Sequence, residues 1–259
     1  MDVLATYNLS VGYGQGDKAH EVLGGMDLRL PEATMTVIVG ANGIGKSTLL
    51  RTLSGARRPL GGSIEIMGED ASKISPRRRA RQLSMVYTDR GGGGGLTVSE
   101  TVGLGRQPYT GFWGRLSTDD RRVVGEAMEA VGVSAMAARY MATLSDGERQ
   151  KVMIARALAQ QTPLIVLDEP TAFLDVASRL EIMRLLARLV GDEGKTVLLS
   201  THDIAPALEV AGRLWVVDGE RRRVVEGTVS ELIESEVMES VFPGRGVTFD
   251  TSLLDFRIK

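Results

Sequence analysis

Eight consecutive residues, Gly40-Ala41-Asn42-Gly43-Ile44-Gly45-Lys46-Ser47, have the types and spacing needed to hold a phosphate chain. They fit the pattern G-x-x-x-x-G-K-[ST], a turn whose glycines let backbone N–H groups point inward around an anion. A helix starting at Lys46 adds partial positive charge at its N-terminus. Lys46 is placed to reach β- and γ-phosphates, Ser47 to ligate Mg²⁺, and Thr48 to touch a further phosphate oxygen. A second group, Leu164-Ile165-Val166-Leu167-Asp168-Glu169, ends an apolar run in two carboxylates. Asp168 is suited to hold Mg²⁺, directly or through water, and Glu169 to polarise an attacking water as general base. Asp-Glu after a strand is common in solvated loops; the phosphate turn elsewhere in the chain makes it informative. A third group, Leu144-Ser145-Asp146-Gly147-Glu148, contains an S-x-x-E capping box that opens a helix.

The flanking sequence must position these groups. Met35-Thr36-Val37-Ile38-Val39 is a β-branched run with little alternation, as expected of a strand buried on both faces. It ends at Gly40, and helical character follows from Lys46. Residues 164–167 and 196–200 read the same way, as buried strands delivering loops at their C-terminal ends, where ligands sit in α/β sheets. Residues 4–11, 26–30 and 63–67 alternate as half-buried strands. Ser75-Pro76 supplies an N-cap and a first-turn proline, and Thr97 with Glu100 another capping box. Helices are expected over 119–131, 148–159 and 176–190. The last carries an apolar stripe of Val176, Leu180, Met183, Ala187 and Val190. Residues 214–219 and 224–226 pair as a hairpin, and a short helix near 230 precedes an extension rich in Phe and Val. Five consecutive glycines, 91–95, read as a mobile loop. Strands alternating with helices argue an α/β fold with a parallel sheet covered on both faces. One domain spans 1–259, with a core of 1–87 and 162–229, a helical subdomain of 88–161 and a C-terminal extension of 230–259.

Composition narrows the chemistry. The 259 residues contain no cysteine, which removes thiol catalysis, disulfides and iron–sulfur clusters. Two histidines, His20 and His202, rule out a His-rich metal site, and His20 has no functional context. Lys+Arg is 31 against Asp+Glu 33, a net charge of -2, with no global pull toward nucleic acid. The basic runs 77–81 and 221–223 read as solvated faces. No window of about 18–20 apolar residues is present, and the N-terminus lacks a secretory pattern.

The order of these motifs resembles the ATP-binding cassette family: phosphate turn, helical insert, a Leu-Ser-x-Gly-Glu signature at 144–148, the acidic strand, then the lone His202. The resemblance covers about residues 3–230, and it implies a P-loop NTPase core with a mixed sheet plus an inserted α-helical subdomain. It implies that Tyr13 stacks on adenine and that Gly40, Asn42, Gly43, Gly45, Lys46, Ser47 and Thr48 bind ATP. It further implies that Ser145, Gly147 and Glu148 serve the nucleotide of a second copy in a head-to-tail dimer. Asp175 falls in the loop crossing the dimer seam, and His202 falls where the family has a histidine contacting the γ-phosphate. Two positions depart from the pattern. Asp146 replaces a glycine, adding a carboxylate near a phosphate site. After Val86-Tyr87 the usual metal-binding glutamine is missing, leaving Thr88 or Asp89 as the oxygen ligand.

The wording of Leu104-Gly105-Arg106-Gln107-Pro108-Tyr109, Gly114-Arg115-Leu116 and 160–175 is similar to importer subunits for ferric siderophores, haem and vitamin B12. The resemblance thus implies an ATPase subunit, peripheral on the cytoplasmic face of the membrane. Its expected partners are an integral membrane permease and, indirectly, a substrate-binding protein, with no nucleic acid. An alternative within the family is a non-transport ATPase acting on DNA or ribosomes, which usually carries coiled-coil inserts or tandem cassettes absent here. A small-molecule kinase is the rival outside it, and would need an acceptor pocket in place of a signature.

Overall fold

A computed structural model describes residues 1–87, 95–172, 174–235, 237–241, 246–251 and 254–258. Strands β1 (Asp2–Tyr13), β2 (His20–Met26) and β3 (Arg29–Pro31) come first, and β4 (Met35–Val39) then runs into helix α1 (Lys46–Leu53). Next are β5 (Gly61–Ile66), β6 (Glu69–Asp70), α2 (Pro76–Gln82) and β7 (Leu83–Val86). The middle of the chain is helical: α3 (Val98–Gly103), α4 (Thr118–Ala130) and α5 (Asp146–Ala159). The chain returns to alternation with β8 (Leu164–Asp168), α6 (Val176–Gly191), β9 (Thr196–Ser200), α7 (Ile204–Leu208), β10 (Arg213–Asp218) and β11 (Arg223–Gly227). It closes with α8 (Val229–Glu234) and the hairpin β12 (Val247–Asp250) to β13 (Asp255–Ile258).

Two sheets build the core. One has the order β11-β10-β4-β9-β8-β7, parallel throughout except for the antiparallel β10–β11 edge. The other is antiparallel, with β2-β1-β5-β6 in order and β3 also on β1. Every residue of β4, β8 and β9 is buried. Successive side chains on these strands go to different cores. Met35, Val37, Val39, Ile165, Leu167, Val197 and Leu199 join a cluster with residues of α3 to α7. Ile38, Leu164, Val166 and Leu198 join Leu49, Leu50 and Leu53 of α1 beneath the antiparallel sheet. The side-chain period is still two, and it is invisible in the sequence because both faces need apolar residues.

Local signals place most ends. Ser75 accepts from the Arg78 N–H before Pro76. Capping boxes open α3 (Thr97/Glu100), α4 (Ser117/Asp120), α5 (Ser145/Glu148) and α8 (Thr228/Glu231). The Ser117/Asp120 box moves the start of α4 to Thr118, one residue before the expected 119. Residues 26–30 do alternate in burial, with Met26, Leu28 and Leu30 inside, but the ladder breaks at 27–28.

The expected stripe of α6 is met at Met183, Ala187 and Val190, which lie in or against the core, and needs correction at Val176 and Leu180. Val176 is 68% exposed and Leu180 38%, whereas Ile182, Met183, Leu185, Leu186 and Leu189 are buried. This helix is apolar over a wide arc, so a 4-3-4-3 spacing fits two neighbouring stripes. Packing against β9 and α7 selects the second. The expected loop at 91–95 lies mostly outside the described residues, as do Thr88 and Asp89.

Candidate functional site

The ends of β4, β8 and β9 meet at one edge of the parallel sheet. The register sets Asp168 opposite Ser200 and Ile38 opposite Ser200, so three loops emerge at one level. The turn after β4 needs its glycines. Gly43 and Gly45 have φ of 79° and 117°, a region L-residues rarely enter. A Cβ on Gly45 would lie 2.6 Å from Val22 Cγ1, and one on Gly40 would lie 3.0 Å from Val217 Cβ. The turn is thus packed as well as curled.

Lys46 begins α1 and is 4% exposed. Its Nζ donates to the carbonyl oxygens of Gly40 at 2.8 Å and Ala41 at 3.2 Å, and lies 3.6 Å from Glu169 Oε1. Burial lowers its pKa below the usual lysine value, and the carboxylates of Glu169 and Asp168 oppose that shift. Gly45 provides no side-chain cap, so the first-turn N–H groups of α1 are free to receive an anion. At the starts of α3, α4, α5 and α8 a capping box takes up part of that hydrogen-bonding capacity. A nucleotide's phosphates fit this turn in shape and charge.

Ser47 Oγ donates to Asp168 Oδ1 at 2.9 Å, and Ser200 Oγ donates to the same oxygen at 2.8 Å. A hydroxyl and a buried carboxylate are hard oxygen donors of the kind magnesium takes. Among the described residues no cluster of three or more His, Cys, Asp or Glu could cage a metal. The donor set therefore suits a cation that keeps waters and phosphate oxygens in its shell.

Glu169 has φ 49°, a left-handed conformation unusual for a non-glycine residue. Its N–H is held by Ser200 Oγ at 3.0 Å and the Ser200 carbonyl at 3.1 Å. Those bonds swing its carboxylate between two bases: Oε1 toward Lys46 and Oε2 3.2 Å from His202 Nδ1. The structure brings Lys46, Ser47, Asp168, Glu169 and His202 together. Tyr13, nearly half exposed, joins them through a 2.7 Å hydrogen bond between its hydroxyl and Thr48 Oγ1. The Arg57 guanidinium lies 4.3 Å from the Tyr13 ring centroid and donates to the Gly12 carbonyl at 3.0 Å. A cavity of about 240 Å³ is lined by Tyr13, Val22, Gly43, Gly45, Lys46, Ser47, Thr48 and Glu169. A neighbour of about 310 Å³ shares Tyr13, Val22 and Gly43 and adds His20, Glu21, Leu23, Ile44, Gly219 and Arg222.

The signature residues lie apart. No hydrogen bond or ion pair joins Ser145, Gly147 or Glu148 to the phosphate turn among the described residues. Ser145 is exposed at the N-terminus of α5, and a Cβ on Gly147 would lie 3.3 Å from Ser178 Oγ on α6. The Glu148 carboxylate is taken up by the Ser145 N–H at 2.8 Å and by Arg139 at 3.2 Å. Asp146 pairs with Arg149 at 3.1 Å. Asp175 caps α6, accepting from the Ser178 N–H at 2.8 Å, and that bond holds its carboxyl below the usual range. Asn42 is exposed in the turn.

Three residues here were not singled out by the sequence. Ser200 clamps both Asp168 and Glu169, a role readable only from strand register. Arg57 sits on Tyr13 although the two are 44 positions apart in sequence. Asp203, beside His202, accepts from Arg179 Nη1 at 3.0 Å and ties that loop to α6.

Known proteins match this chain over most of its length. The family model described as ABC transporter matches residues 23–172. The iron(3+)-hydroxamate import ATP-binding protein of Bacillus subtilis is 36% identical, over 93% of this chain and 88% of its own. Among solved structures, an inward-facing transporter described as of metal-chelate type matches with a TM-score of 0.80 at 26% identity, covering 93% of this chain and 89% of that one. A cassette in a dimeric post-hydrolysis state with ADP and Pi matches with a TM-score of 0.77 at 28% identity, covering 87% of this chain and 98% of that one.

Proposed function

Because this chain belongs to the ABC transporter family, we propose that it energises uptake of a metal chelate of the ferric siderophore, haem or cobalamin class through a separate permease. It is an ATP-binding, ATP-hydrolysing subunit of the importer type. No helix among the described residues is long and apolar enough to cross a membrane. By analogy with importer ATPases, the reading makes it a peripheral subunit on the cytoplasmic face, with integral permease subunits as partners and a substrate-binding protein reached through them. Residues 1–87 and 162–229 form the nucleotide-binding core, 88–161 the helical subdomain and 230–259 an extension.

The observation that carries the reading is the meeting of Lys46, Ser47, Asp168, Glu169 and His202 at one sheet edge. The uncapped start of α1 and the Gly40–Thr48 turn hold the triphosphate, and Tyr13 receives the adenine on the ring face away from Arg57. Ser47 and Asp168 would hold Mg²⁺, which supplies charge neutralisation on the phosphate oxygens. Glu169 accepts a proton from the water that attacks the γ-phosphorus, while the bond to the bridging oxygen breaks and ADP leaves. His202 orients Glu169 and faces the γ-phosphate. Lys46 exchanges its contacts with Gly40 and Ala41 for phosphate oxygens. Ser145 and Gly147 reach the nucleotide of a second copy, which accounts for their separation from the turn within one chain. The fit to a dimeric cassette with ADP and Pi supports that arrangement. Binding closes the pair only through a higher affinity of nucleotide for the closed state.

The test is Glu169→Gln. We expect ATP binding to persist, turnover to fall by about a hundred- to ten-thousandfold, and dimers to accumulate with ATP and magnesium. A variant that turns over at the wild-type rate removes Glu169 as the base. A variant that binds ATP but stays monomeric removes the shared site.

A further inference from the structure

Two large aromatic side chains lie almost fully in water outside the nucleotide site. Phe112 is 96% exposed and Trp113 82%, their rings edge to face with centroids 5.5 Å apart. They occupy the tip of a loop between Arg106 and α4, with Gly111 before them and Gly114 and Arg115 after. Large apolar rings left in water retain the hydrophobic driving force that burial would release.

The tip is held in place from below. The Pro108 carbonyl accepts from Arg77 Nε at 2.9 Å and from Arg81 Nη2 at 2.9 Å, and the Thr110 carbonyl accepts from Arg77 Nη2 at 3.0 Å. The Arg81 guanidinium lies 4.9 Å from the Tyr109 ring centroid, and the Tyr109 hydroxyl donates to the Gln160 carbonyl at 2.9 Å. These arginines bond carbonyl oxygens, and neither forms an ion pair with a carboxylate among the described residues. Arg115 is exposed and forms no ion pair among the described residues. A chain of net charge -2 thus places Arg77, Arg81 and Arg115, which have no carboxylate partner among the described residues, on or against the loop that carries the aromatic pair.

Guanidinium groups beside Trp and Phe match an anionic bilayer surface. On such a surface the rings would sit at the headgroup level and the Arg115 guanidinium would face lipid phosphates, with Arg77 and Arg81 adding positive charge behind them. We propose that Phe112 and Trp113, flanked by Arg77, Arg81 and Arg115, dock directly on anionic lipid. This extends the peripheral placement proposed above, and it does not require the permease.

The two tryptophans make the test direct. Trp215 is fully buried, so a lipid-induced change in emission reports Trp113. The full chain is titrated with phosphatidylcholine vesicles, alone or with about one-third phosphatidylglycerol. We expect a blue shift and quenching by brominated lipid only with the anionic vesicles. In co-sedimentation, Trp113→Ser should bind about tenfold more weakly, and Arg115→Gln about fivefold more weakly. Both variants should keep wild-type ATP hydrolysis in solution, which separates this inference from the assignment of the ATPase. Wild-type protein that hydrolyses ATP yet shows no shift overturns the proposal, as does equal binding to neutral vesicles. Binding that appears only when permease is present in the vesicles also overturns it, in favour of a protein partner.

Discussion

The proposed site makes Lys46 the residue on which nucleotide affinity should turn. Its ammonium is buried, and its ligands are two carbonyls of its own turn and one carboxylate. A phosphate chain is a better partner than carbonyls, because hydrogen bonds between charged groups are shorter and stronger. Lys46→Ala should weaken ATP binding about ten- to a hundredfold, measured by calorimetry on protein whose circular dichroism is unchanged. Unaltered affinity would remove Lys46 from the site. Asp146 departs from the family's glycine, and its carboxylate is paired with Arg149 on the exposed side of α5. Asp146→Gly should therefore keep or raise ATPase turnover, and an inactive variant would give Asp146 a catalytic part. The residue-scale site was legible to unequal depth. Lys46, Ser47, Asp168 and Glu169 carry their chemistry in a local pattern. Ser200 does not, because nothing near it in sequence says that β9 pairs with β8 so as to set it on Asp168.

The elements were legible where one local rule decides and obscure where packing does. Buried strands β4, β8 and β9 announce themselves by short, largely apolar runs without alternation, and Ser75, Thr97 and Ser145 by their caps. Helix α6 offered two apolar stripes, and only its contacts with the sheet choose between them. The second sheet's place above α1 likewise follows from long-range pairing of β1 with β2 and β5. A buried tie inside the helical region was also unannounced. Arg106 Nε donates to Asp120 Oδ1 at 2.8 Å, and its Nη1 donates to the Ala159 carbonyl and Gln161 Oε1, each at 2.8 Å. These bonds join the start of α4 to the end of α5, the helix whose other end bears Ser145. Hydrogen bonds from Ser117, and then from Arg106, lower the Asp120 pKa from 3.8 to about 2. A depressed carboxyl contributes stability that is present above its unfolded value and lost as pH falls through its folded one. The wild type should therefore lose stability between pH of about 4 and about 2, followed by thermal melts. Asp120→Asn should be less stable at neutral pH and show a shallower loss across that window. An unchanged acid limb would show that Asp120 contributes nothing to it.

For the whole molecule, the separation of Ser145 from Lys46 has a consequence that single substitutions cannot test. In a head-to-tail pair each site takes its phosphate turn from one copy and its α5 N-terminus from the other. A chain with Lys46→Ala spoils the turn of one site only, and a chain with Ser145→Arg spoils the opposing cap. Each variant alone forms pairs in which both sites are damaged. In a mixed pair, both lesions fall in the same site, because the altered turn of one copy faces the altered cap of the other. The second site is then built from an intact turn and an intact cap. Equal mixtures of the two inactive variants should recover ATPase activity, up to about a quarter of wild type if half the pairs are mixed and the sites act independently. The recovery should grow with protein concentration, since it requires association. If each chain hydrolysed ATP alone, mixing would return only the sum of the separate activities, and the exposed serine at the head of α5 would need another purpose.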